Sequence, residues 1–359
     1  MNPLNQKSTI ILLISIILIA SGVVLLYFDS AQASGGDNQK VNDMLGRSVE
    51  IPAETNKVAS ISASTTVELF MLAPEKMIGW NEKRTSEENV YMKSTYSSLP
   101  VIGGGKKDAN YENIISMNPD IVLIGHGGTV NQVDQIQSKF GSIPSLDVEG
   151  DNNLTSITPS LEFLGNTLGK KEQSDKLISF YNDMTREVNS TVSTIPESER
   201  KKVYYARDST GLMSNPPGST HTQLIEICGG KNVVEAPLTK GSVGVSMELI
   251  LKWNPDVIIT SNQQFYDNIY SNSLWADVKA VKEKQVYMVP TSPFNWFEGP
   301  PGANTIIGIP WTAKVLYPDK FQNMDLKKIT KEFYSEYYHY NLTDQEATNI
   351  LSSSGLKNV

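Results

Sequence analysis

Side chains able to bind a small molecule stand after several predicted strands and in a loop near the carboxyl end of the chain. Arg84 and Arg207 suit carboxylates or an oxyanion, because a planar guanidinium pairs with two oxygens at once. Aromatic rings suit a large planar or apolar group. We expect the ligand site to draw on these residues: Ser64, Thr65, Trp80, Arg84, His126, Tyr205, Arg207, His221, Asn295, Trp296 and Phe297.

The histidines argue against a site for a bare transition-metal ion. His126, His221 and His339 are far apart in the sequence, and no histidine-rich stretch is present. A zinc site needs three or four such ligands brought together. We therefore expect no metal centre and no cofactor of the protein's own. His126 and His221 remain candidates for ligand contact, and His339 does not.

Catalytic motifs are scarce in this sequence. The stretch Gly103-Gly104-Gly105-Lys106-Lys107 lacks the spacing of a phosphate-binding loop. The strand-to-helix elbow Gly-x-Ser-x-Gly of serine hydrolases is also absent. A single serine or a pair of carboxylates in a cleft would leave no motif, so an enzyme stays an alternative. The sequence favours a binding protein.

Two stretches repeat each other, and they indicate how the candidate residues are positioned. Residues 112–124 read ENIISMNPDIVLI and residues 248–260 read ELILKWNPDVIIT, with each position 136 residues from its partner (248 against 112). In both, a helical pattern passes through Asn-Pro-Asp into an apolar strand. A single matched pair favours duplication into two similar lobes over a solenoid. Ligands commonly bind in the cleft between lobes.

Strand and helix patterns alternate on both sides of one long amphipathic segment. Strands are predicted at 57–62, 77–80, 121–124, 202–206 and 285–289, and a long helix at 170–194. The predicted fold is α/β, with two Rossmann-like lobes of parallel sheet joined by one long connecting helix and a ligand cleft between the lobes. The candidate residues then lie at the carboxyl ends of strands, where open α/β sheets bind ligands. The predicted boundaries are an N-terminal lobe at 41–168, a connecting helix at 169–196 and a C-terminal lobe at 197–359.

The first 33 residues differ from the rest. Lys7 precedes an apolar run over 10–28, and Ala31-Gln32-Ala33 matches the small residues of a cleavage site. We expect residues 1–33 to be a signal peptide, or an uncleaved membrane anchor because the run is long enough to span a bilayer. Residues 34–40 read as a flexible tether. Either outcome places the folded part outside the cytoplasm.

Cysteine usage and charge narrow the function further. Cys228 is the only cysteine, which excludes an internal disulfide and a lipid-modified cysteine after the apolar run. The formal net charge is −8. Nucleic-acid binding rewards clustered lysine and arginine, so we expect no nucleic acid partner.

Three features together resemble a known family. They are the doubled Glu…Asn-Pro-Asp unit, the turn at 228–233 (CGGKNV), and the series at 296–318 that contains Trp296, Pro300-Pro301-Gly302, Trp311 and Tyr317-Pro318. The chain resembles the substrate-binding proteins of ATP-binding-cassette importers for iron-siderophore, haem and cobalamin, the long-helix class. The resemblance implies a monomer that delivers its ligand to a two-fold-symmetric permease driven by a separate ATPase.

The resemblance also assigns roles to particular residues. In that family a glutamate on each lobe docks onto the permease, and the matching positions here are Glu112 and Glu248. A two-fold partner needs matching charges at symmetric places, although an early helix position would also favour glutamate through the helix dipole. Haem-binding relatives place an axial ligand where His221 stands, and the alternative is that this ring only bonds to the start of the helix.

Three functions follow in order of expectation. The first is an extracytoplasmic receptor that captures a metal chelate, namely a ferric siderophore, haem or cobalamin, for a permease. The second is the same transport role for an oxyanion such as molybdate or tungstate, bound by arginine, tyrosine, serine and backbone amides. The third is a secreted enzyme with an active site in the cleft.

Overall fold

The computed structural model of the protein describes residues 38–103, 109–125, 128–148, 153–238 and 241–357. The predicted leader at 1–33, most of the predicted tether and the candidate His126 lie outside these ranges. Within them, no helix combines the length and the apolar character needed to cross a bilayer. Lys40–Ile51 and the described residues from Thr55 onward form one compact unit that contains both parallel sheets.

The first half contains a three-stranded parallel sheet with helices around it. Its strand order is β3-β4-β5, and Val58 pairs with Ile121 in the register of its first two strands. The elements of this half are β1 (Gln39–Asn42), β2 (Ser48–Ile51), β3 (Val58–Ser60), α1 (Ala63–Leu72), α2 (Ser94–Ser97), α3 (Tyr111–Ser116), β4 (Ile121–Leu123), α4 (Val130–Phe140), β5 (Ser145–Leu146) and α5 (Ile157–Thr167), with short 3-10 turns at Pro74–Lys76 and Leu154–Ser156.

The second half contains a four-stranded sheet whose pairings are all parallel. The strand order is β11-β10-β6-β8, and a small antiparallel pair, β7 with β9, lies beside it. The elements are β6 (Lys202–Ala206), β7 (Met213–Ser214), α7 (Gln223–Ile227), β8 (Lys231–Asn232), β9 (Val243–Gly244), α8 (Met247–Trp253), β10 (Val257–Thr260), α9 (Gln263–Asn268), α10 (Lys279–Lys282), β11 (Val286–Met288), α11 (Gly308–Leu316), α12 (Leu326–Tyr337) and α13 (Asp344–Ser353), with 3-10 turns at Glu197–Glu199 and Ala303–Thr305.

The long helix between the two sheets is present. Helix α6 covers Lys171–Val192, so it has 22 residues and a length of about 33 Å at 1.5 Å per residue. Its buried side chains include Leu177, Val188 and Val192, which follow one face of the helix. The predicted fold class, two parallel sheets with a long helix between them, is confirmed. The predicted lobe boundaries stay predictions.

Both sheets bury both faces of their inner strands, which explains why β4 and β10 are almost entirely apolar. On β4, Ile121 and Leu123 belong to one core cluster and Val122 to another, because alternate side chains point to opposite faces. On β10, Val257 and Ile258 divide in the same way. The first of these clusters contains residues of both halves and of α6. The two halves therefore share a continuous apolar core as well as a connecting helix.

The predicted strand at 77–80 is wrong. Two isolated bridges replace it, Met77 to Val58 and Trp80 to Val101, both parallel. The segment follows directly on the 3-10 turn at Pro74–Lys76 and contacts a different neighbour at each end, so consecutive ladder pairs do not form. Its apolar pattern reflects burial, since Met77 and Trp80 are about 5% exposed.

Candidate ligand-binding site

A cavity of about 470 Å³ opens between the two halves of the molecule. The start of α1 and the loop after Trp80 supply one wall. Arg207, which follows β6, and His221 supply the opposite wall, and the aromatic loop after β11 completes the cavity. Its lining residues are Ala63, Thr66, Val67, Trp80, Asn81, Glu82, Arg84, Glu88, Arg207, His221, Thr291, Phe294, Asn295, Gly299, Pro300 and Pro301.

Arg84 is held between two aromatic rings on the first wall. Its guanidinium carbon lies 4.8 Å from the ring centre of Trp80 and 4.6 Å from that of Phe294. The Nη2 group donates a hydrogen bond to the backbone oxygen of Pro293, and the Trp80 indole N–H donates to the backbone oxygen of Tyr96 at 2.8 Å. Burial lowers the pKa of Arg84, which Glu88 and Glu82 oppose. Arg84 therefore joins the two halves and presents a charge to the cavity.

Arg207 is held by polar partners on the second wall. Its Nη1 group donates to Ser242 Oγ at 2.6 Å and to Asn215 Oδ1 at 3.3 Å. Its Nε lies 3.0 Å from Glu298 Oε2, and the arginine side chain is 31% exposed while that of Glu298 is 11% exposed. The predicted cation is present on the cavity wall, but a carboxylate of the same chain already pairs with it.

Glu298 is the functional candidate that the sequence reasoning missed. Its Oε1 accepts a hydrogen bond from Ser261 Oγ at 3.0 Å, and Ser261 Oγ lies 2.8 Å from the hydroxyl of Tyr205. A signal existed, because Glu298 is the only charged residue in the loop at 290–302. A charged side chain is seldom buried without a partner, so a carboxylate among aromatic residues predicts a buried ion pair.

The ring of His221 lies beside Glu298 rather than beside the start of α7. Its Nδ1 lies 3.2 Å from the backbone oxygen of Glu298 and 3.8 Å from Glu298 Oε2. Burial and the charge of Arg207 lower its pKa, so the ring is neutral at pH 7. A neutral imidazole on a cavity wall can contact a metal-bearing ligand or accept a hydrogen bond. Among the described residues, no group of three or more histidine, cysteine or acidic side chains is arranged around a metal ion.

Asn295 lines the cavity, whereas Ser64 and Thr65 are buried in the first turn of α1 and are not among its lining residues. Ser64 Oγ donates to the backbone oxygen of Pro301 at 2.7 Å, which ties the start of α1 to the aromatic loop. Thr65 is fully buried in the same helical turn. The Oδ1 of Asn295 accepts hydrogen bonds from the backbone N–H groups of Phe297 and Glu298 at 2.8 and 2.9 Å. This side chain, which was predicted to contact the ligand, therefore holds its own loop in place.

Three aromatic candidates lie beneath the cavity instead of on its wall. Tyr205, Trp296 and Phe297 are fully buried, and the rings of Tyr205 and Phe297 pack 4.9 Å apart. The loop carrying Trp296 lies so close to the first turn of α11 that a Cβ on Gly308 would be 1.9 Å from the Trp296 backbone oxygen. The indole lies in the apolar core that the two halves share. The structure thus gives these residues a supporting position, and burial raises the pKa of the Tyr205 hydroxyl well above its ordinary value.

The two repeated glutamates lie away from the cavity lining, at equivalent places in the two halves. Glu112 is exposed in the first turn of α3, whose N-cap is Asn110, and Glu248 is exposed in the first turn of α8, whose N-cap is Ser246. Hydrogen bonding with Ser246 lowers the pKa of Glu248. The structure therefore preserves the equivalence that the repeat predicts.

Comparison with known proteins places this architecture in a family. A family model described as periplasmic binding protein matches residues 58–293. The chain is similar to the molybdate-binding protein MolA of Haemophilus influenzae, with 24% identity over 320 residues that cover 83% of this chain and 90% of that protein. It is similar to the Fe(3+)-citrate-binding protein YfmC of Bacillus subtilis, with 21% identity over 311 residues that cover 82% of this chain and 94% of that protein.

A solved structure with the same architecture is an ABC transporter solute binding protein from Sulfurospirillum deleyianum. The two folds superpose with a TM-score of 0.79 at 27% identity, over 87% of this chain and 99% of that chain. The family match spans both sheets, α6 and most of the residues around the cavity. The chain belongs to the periplasmic binding protein family, as a substrate-binding protein of an ATP-binding-cassette importer.

Proposed function

We propose that the protein captures a metal chelate outside the cytoplasm, such as a ferric siderophore, haem or cobalamin, and delivers it to a permease. The observation that carries this proposal is the cavity of about 470 Å³ whose walls come from both halves of the chain. That volume lies within the range of sites for drug-sized ligands. A tetrahedral oxyanion of five heavy atoms would occupy only a small part of it.

The chemistry of the wall supports the same ligand class. Trp80 and Phe294 line the cavity with Arg84 between their rings, and Pro300 and Pro301 add apolar surface. A chelate offers both an apolar periphery and oxygen or nitrogen donors, and these match aromatic rings and guanidinium groups respectively. His221, held neutral, stands where it can reach a metal-bearing ligand.

An oxyanion such as molybdate or tungstate is the second candidate. Two arginines reach the cavity, and the molybdate-binding protein of Haemophilus influenzae is similar to this chain over most of its length. Arginine side chains and hydroxyl groups are the donors that oxyanion sites use. The two candidates differ in size and charge, so one binding experiment separates them.

A thermal-shift screen of the purified protein tests both candidates. The panel is haem, cobalamin, ferric citrate, a ferric trihydroxamate, molybdate and tungstate, because a ligand that binds only the native state raises Tm. Stabilisation by an iron or corrinoid chelate supports the first candidate, and a response to molybdate or tungstate alone supports the second. No response to any of the six would overturn the proposal, and R84Q should weaken the response to whichever ligand binds.

Glu112 and Glu248 are proposed to dock the protein onto its permease. Both are exposed, both lie in the first turn of a short helix, and the repeat places them at equivalent positions in the two halves. A partner with two-fold symmetry needs equivalent charges at equivalent places. Exposed charges of this kind steer association and fix orientation.

An aliphatic side chain accompanies each glutamate one helical turn later. Ile115 is 39% exposed and Leu251 is 42% exposed, and they are partners in the same repeat. Residues three apart on a helix share a face. We propose that each docking contact combines a carboxylate with an apolar contact, one pair on each half.

The halves are proposed to move little when a ligand binds. They share one apolar core, and hydrogen bonds such as Ser64 to Pro301 and Arg84 to Pro293 join them at the cavity. Opening the cleft widely would expose that core and break those bonds. The proposed delivery mechanism therefore relies on small adjustments of the cavity walls.

A further inference from the structure

The carboxylate of Glu298 occupies a fixed position at the cavity wall. The residue is 8% exposed, and both of its carboxylate oxygens have partners: Oε2 lies 3.0 Å from Arg207 Nε, and Oε1 accepts from Ser261 at 3.0 Å. Its backbone N–H donates to Asn295 Oδ1 at 2.9 Å. Glu298 is therefore a fixed charge behind the cavity wall and not a mobile surface side chain.

This carboxylate offsets the positive charge that would make Arg207 an anion receptor. A guanidinium binds an oxyanion best when two parallel N–H groups are available. Here Nη1 serves Ser242 and Asn215, and Nε faces Glu298. An incoming anion would have to share Arg207 with a negative charge that is already in contact with it.

The other charged residues of the described wall do not give the cavity a surplus of positive charge. Arg84 is the other cation among the described lining residues, and Glu82 and Glu88 line the same cavity. With Glu298 behind the wall, three carboxylates accompany two guanidinium groups among these residues. A dianion would therefore enter a region without a surplus of positive charge, which costs affinity.

From this arrangement we infer that Glu298 determines the charge specificity of the site: it holds Arg207 and disfavours anionic ligands, so that the cavity selects a chelate that is neutral or positively charged. Specificity of this kind comes from an unfavourable interaction with the wrong ligand as much as from a favourable one with the right ligand. The inference rests on the proposed function of this cavity as the ligand site, and it names the class of ligand within that function.

Isothermal titration of the purified full chain with sodium molybdate tests the inference. E298Q keeps the size of the side chain and removes its charge, and E298A removes the competitor entirely. At an effective dielectric constant of about 20, a unit charge close to a bound dianion is worth more than one tenfold step in Kd. We expect molybdate affinity to rise by at least about tenfold in both variants, and melting curves confirm that each is folded.

Two further variants show whether the gain acts through Arg207. R207Q in the E298Q background should remove the gain. E187Q deletes an exposed carboxylate on α6 that does not line the cavity, and it should change molybdate affinity by less than about threefold. No gain in either Glu298 variant, a gain that survives R207Q, or an equal gain from E187Q would each overturn the inference.

A neutral ferric trihydroxamate and cobalamin, titrated into the same preparations, keep the two proposals apart. Their affinity should change by less than about threefold in E298Q, because they carry no strong negative charge for Glu298 to repel. A rise of about tenfold for them as well would show that the gain does not depend on the charge of the ligand, and it would overturn the charge argument. Wild-type protein that binds neither chelate would sink the chelate proposal, whereas the molybdate result alone decides the role of Glu298.

Discussion

The repeated unit at residues 112–124 and its copy at 248–260 differ more in their surroundings than in their own structure. In each, an asparagine takes a left-handed backbone conformation, with φ of 50° at Asn118 and 45° at Asn254. In each, the following aspartate exchanges two hydrogen bonds with a residue at or directly before the start of the neighbouring strand. Asp120 does so with Lys57 and Asp256 with Lys202, and all four of these bonds are 2.8 Å long.

The differences lie in what surrounds each turn. In the second copy, Lys279 donates its backbone N–H to Asn254 Oδ1 at 2.9 Å and its ammonium group to Asp256 Oδ1 at 2.8 Å. In the first copy, Asp120 instead accepts a second backbone N–H, from Asn56 at 2.6 Å. Duplication thus retained the bonds that begin each strand, while the remaining polar groups found new local partners.

The retained features fall into two kinds. The asparagine and aspartate serve the fold itself, because they reverse the chain and align two strands. The exposed pairs Glu112 with Ile115 and Glu248 with Leu251 contribute little to the core, yet both copies keep an acidic residue followed by an aliphatic one. The helix dipole also favours an acidic residue in the first turn of each helix, but it gives no reason for the exposed aliphatic residue that follows. The proposed docking contact gives a reason for both.

The largest expected effect comes from removing both glutamates. The double variant E112A/E248A should abolish uptake in cells that carry the cognate permease, because both charged contacts with the two-fold partner are lost. Ligand affinity should stay within about twofold of the wild type, since neither residue lines the cavity. E187A/E283A, which removes two exposed glutamates outside the repeat, serves as the control. Undiminished uptake in E112A/E248A would disprove the docking assignment.

A smaller loss should follow from the aliphatic pair. I115S/L251S leaves the charges in place and removes about one buried aliphatic contact on each side, which corresponds to roughly 1–2 kcal/mol per contact. We expect a measurable rise in the protein concentration needed for half-maximal uptake, with an unchanged maximal rate. Equal behaviour of the variant and the wild type would restrict the docking surface to the carboxylates.

The repeat also shows how much of the fold can be predicted from the sequence. Periodicity and the Asn-Pro-Asp turns located β4, β10 and α6 to within a few residues, because burial of both sheet faces and one helix face leaves a strong local pattern. The segment at 77–80 carried the same apolar pattern without forming a strand. Local pattern reports burial, and only the neighbouring chain decides whether a ladder forms.

The candidate site shows the same limit. Arg84, Arg207 and Trp80 were predicted from residue type and position after strands, and they lie on the cavity wall. Trp296 was predicted to contact ligand, but its side chain is fully buried in the core and its backbone packs closely against Gly308. The pairing of Glu298 with Arg207 joins residues 91 positions apart (298 against 207), and such long-range contacts leave no periodic signal.

The aspartates should show comparable losses of stability through different bonds. D120A removes the acceptor of two backbone N–H groups and D256A removes the acceptor of one N–H and of Lys279. We expect each to lower the free energy of unfolding by about 2 kcal/mol in urea titrations at pH 7. K279A, which deletes the half-exposed ion pair alone, should cost no more than about 1 kcal/mol. A larger loss of stability in K279A than in D256A would contradict the assignment of most of the stabilisation to the aspartate rather than to the ion pair.

The contribution of Asp256 to the free energy of unfolding should also depend on pH. Burial raises the pKa of Asp256, but the hydrogen bonds from Lys279 and Lys202 outweigh burial, so the pKa lies below the ordinary 3.8. Since the folded pKa is lower than the unfolded one, the stabilisation is complete above about pH 5 and is lost as the pH falls through the folded value. The difference between D256A and the wild type should therefore shrink between pH 5 and pH 3 in the same titrations. A difference that stays constant over this interval would exclude the charged form of Asp256 as its source.

The smallest expected difference in stability is between substitutions of Asn118 and Asn254. Alanine in a left-handed conformation costs about 1 kcal/mol at either position, so N118A and N254A share that loss. Only Asn254 also accepts a hydrogen bond through its side chain, from the Lys279 N–H, so N254A should cost about 1 kcal/mol more than N118A. Glycine removes the conformational cost, so N118G should remain within a few tenths of a kcal/mol of the wild type, while N254G keeps the loss of the hydrogen bond. Equal free energies of unfolding for N118G and N254G would mean that the Lys279 contact adds nothing, and that the two turns are energetically the same despite their different surroundings.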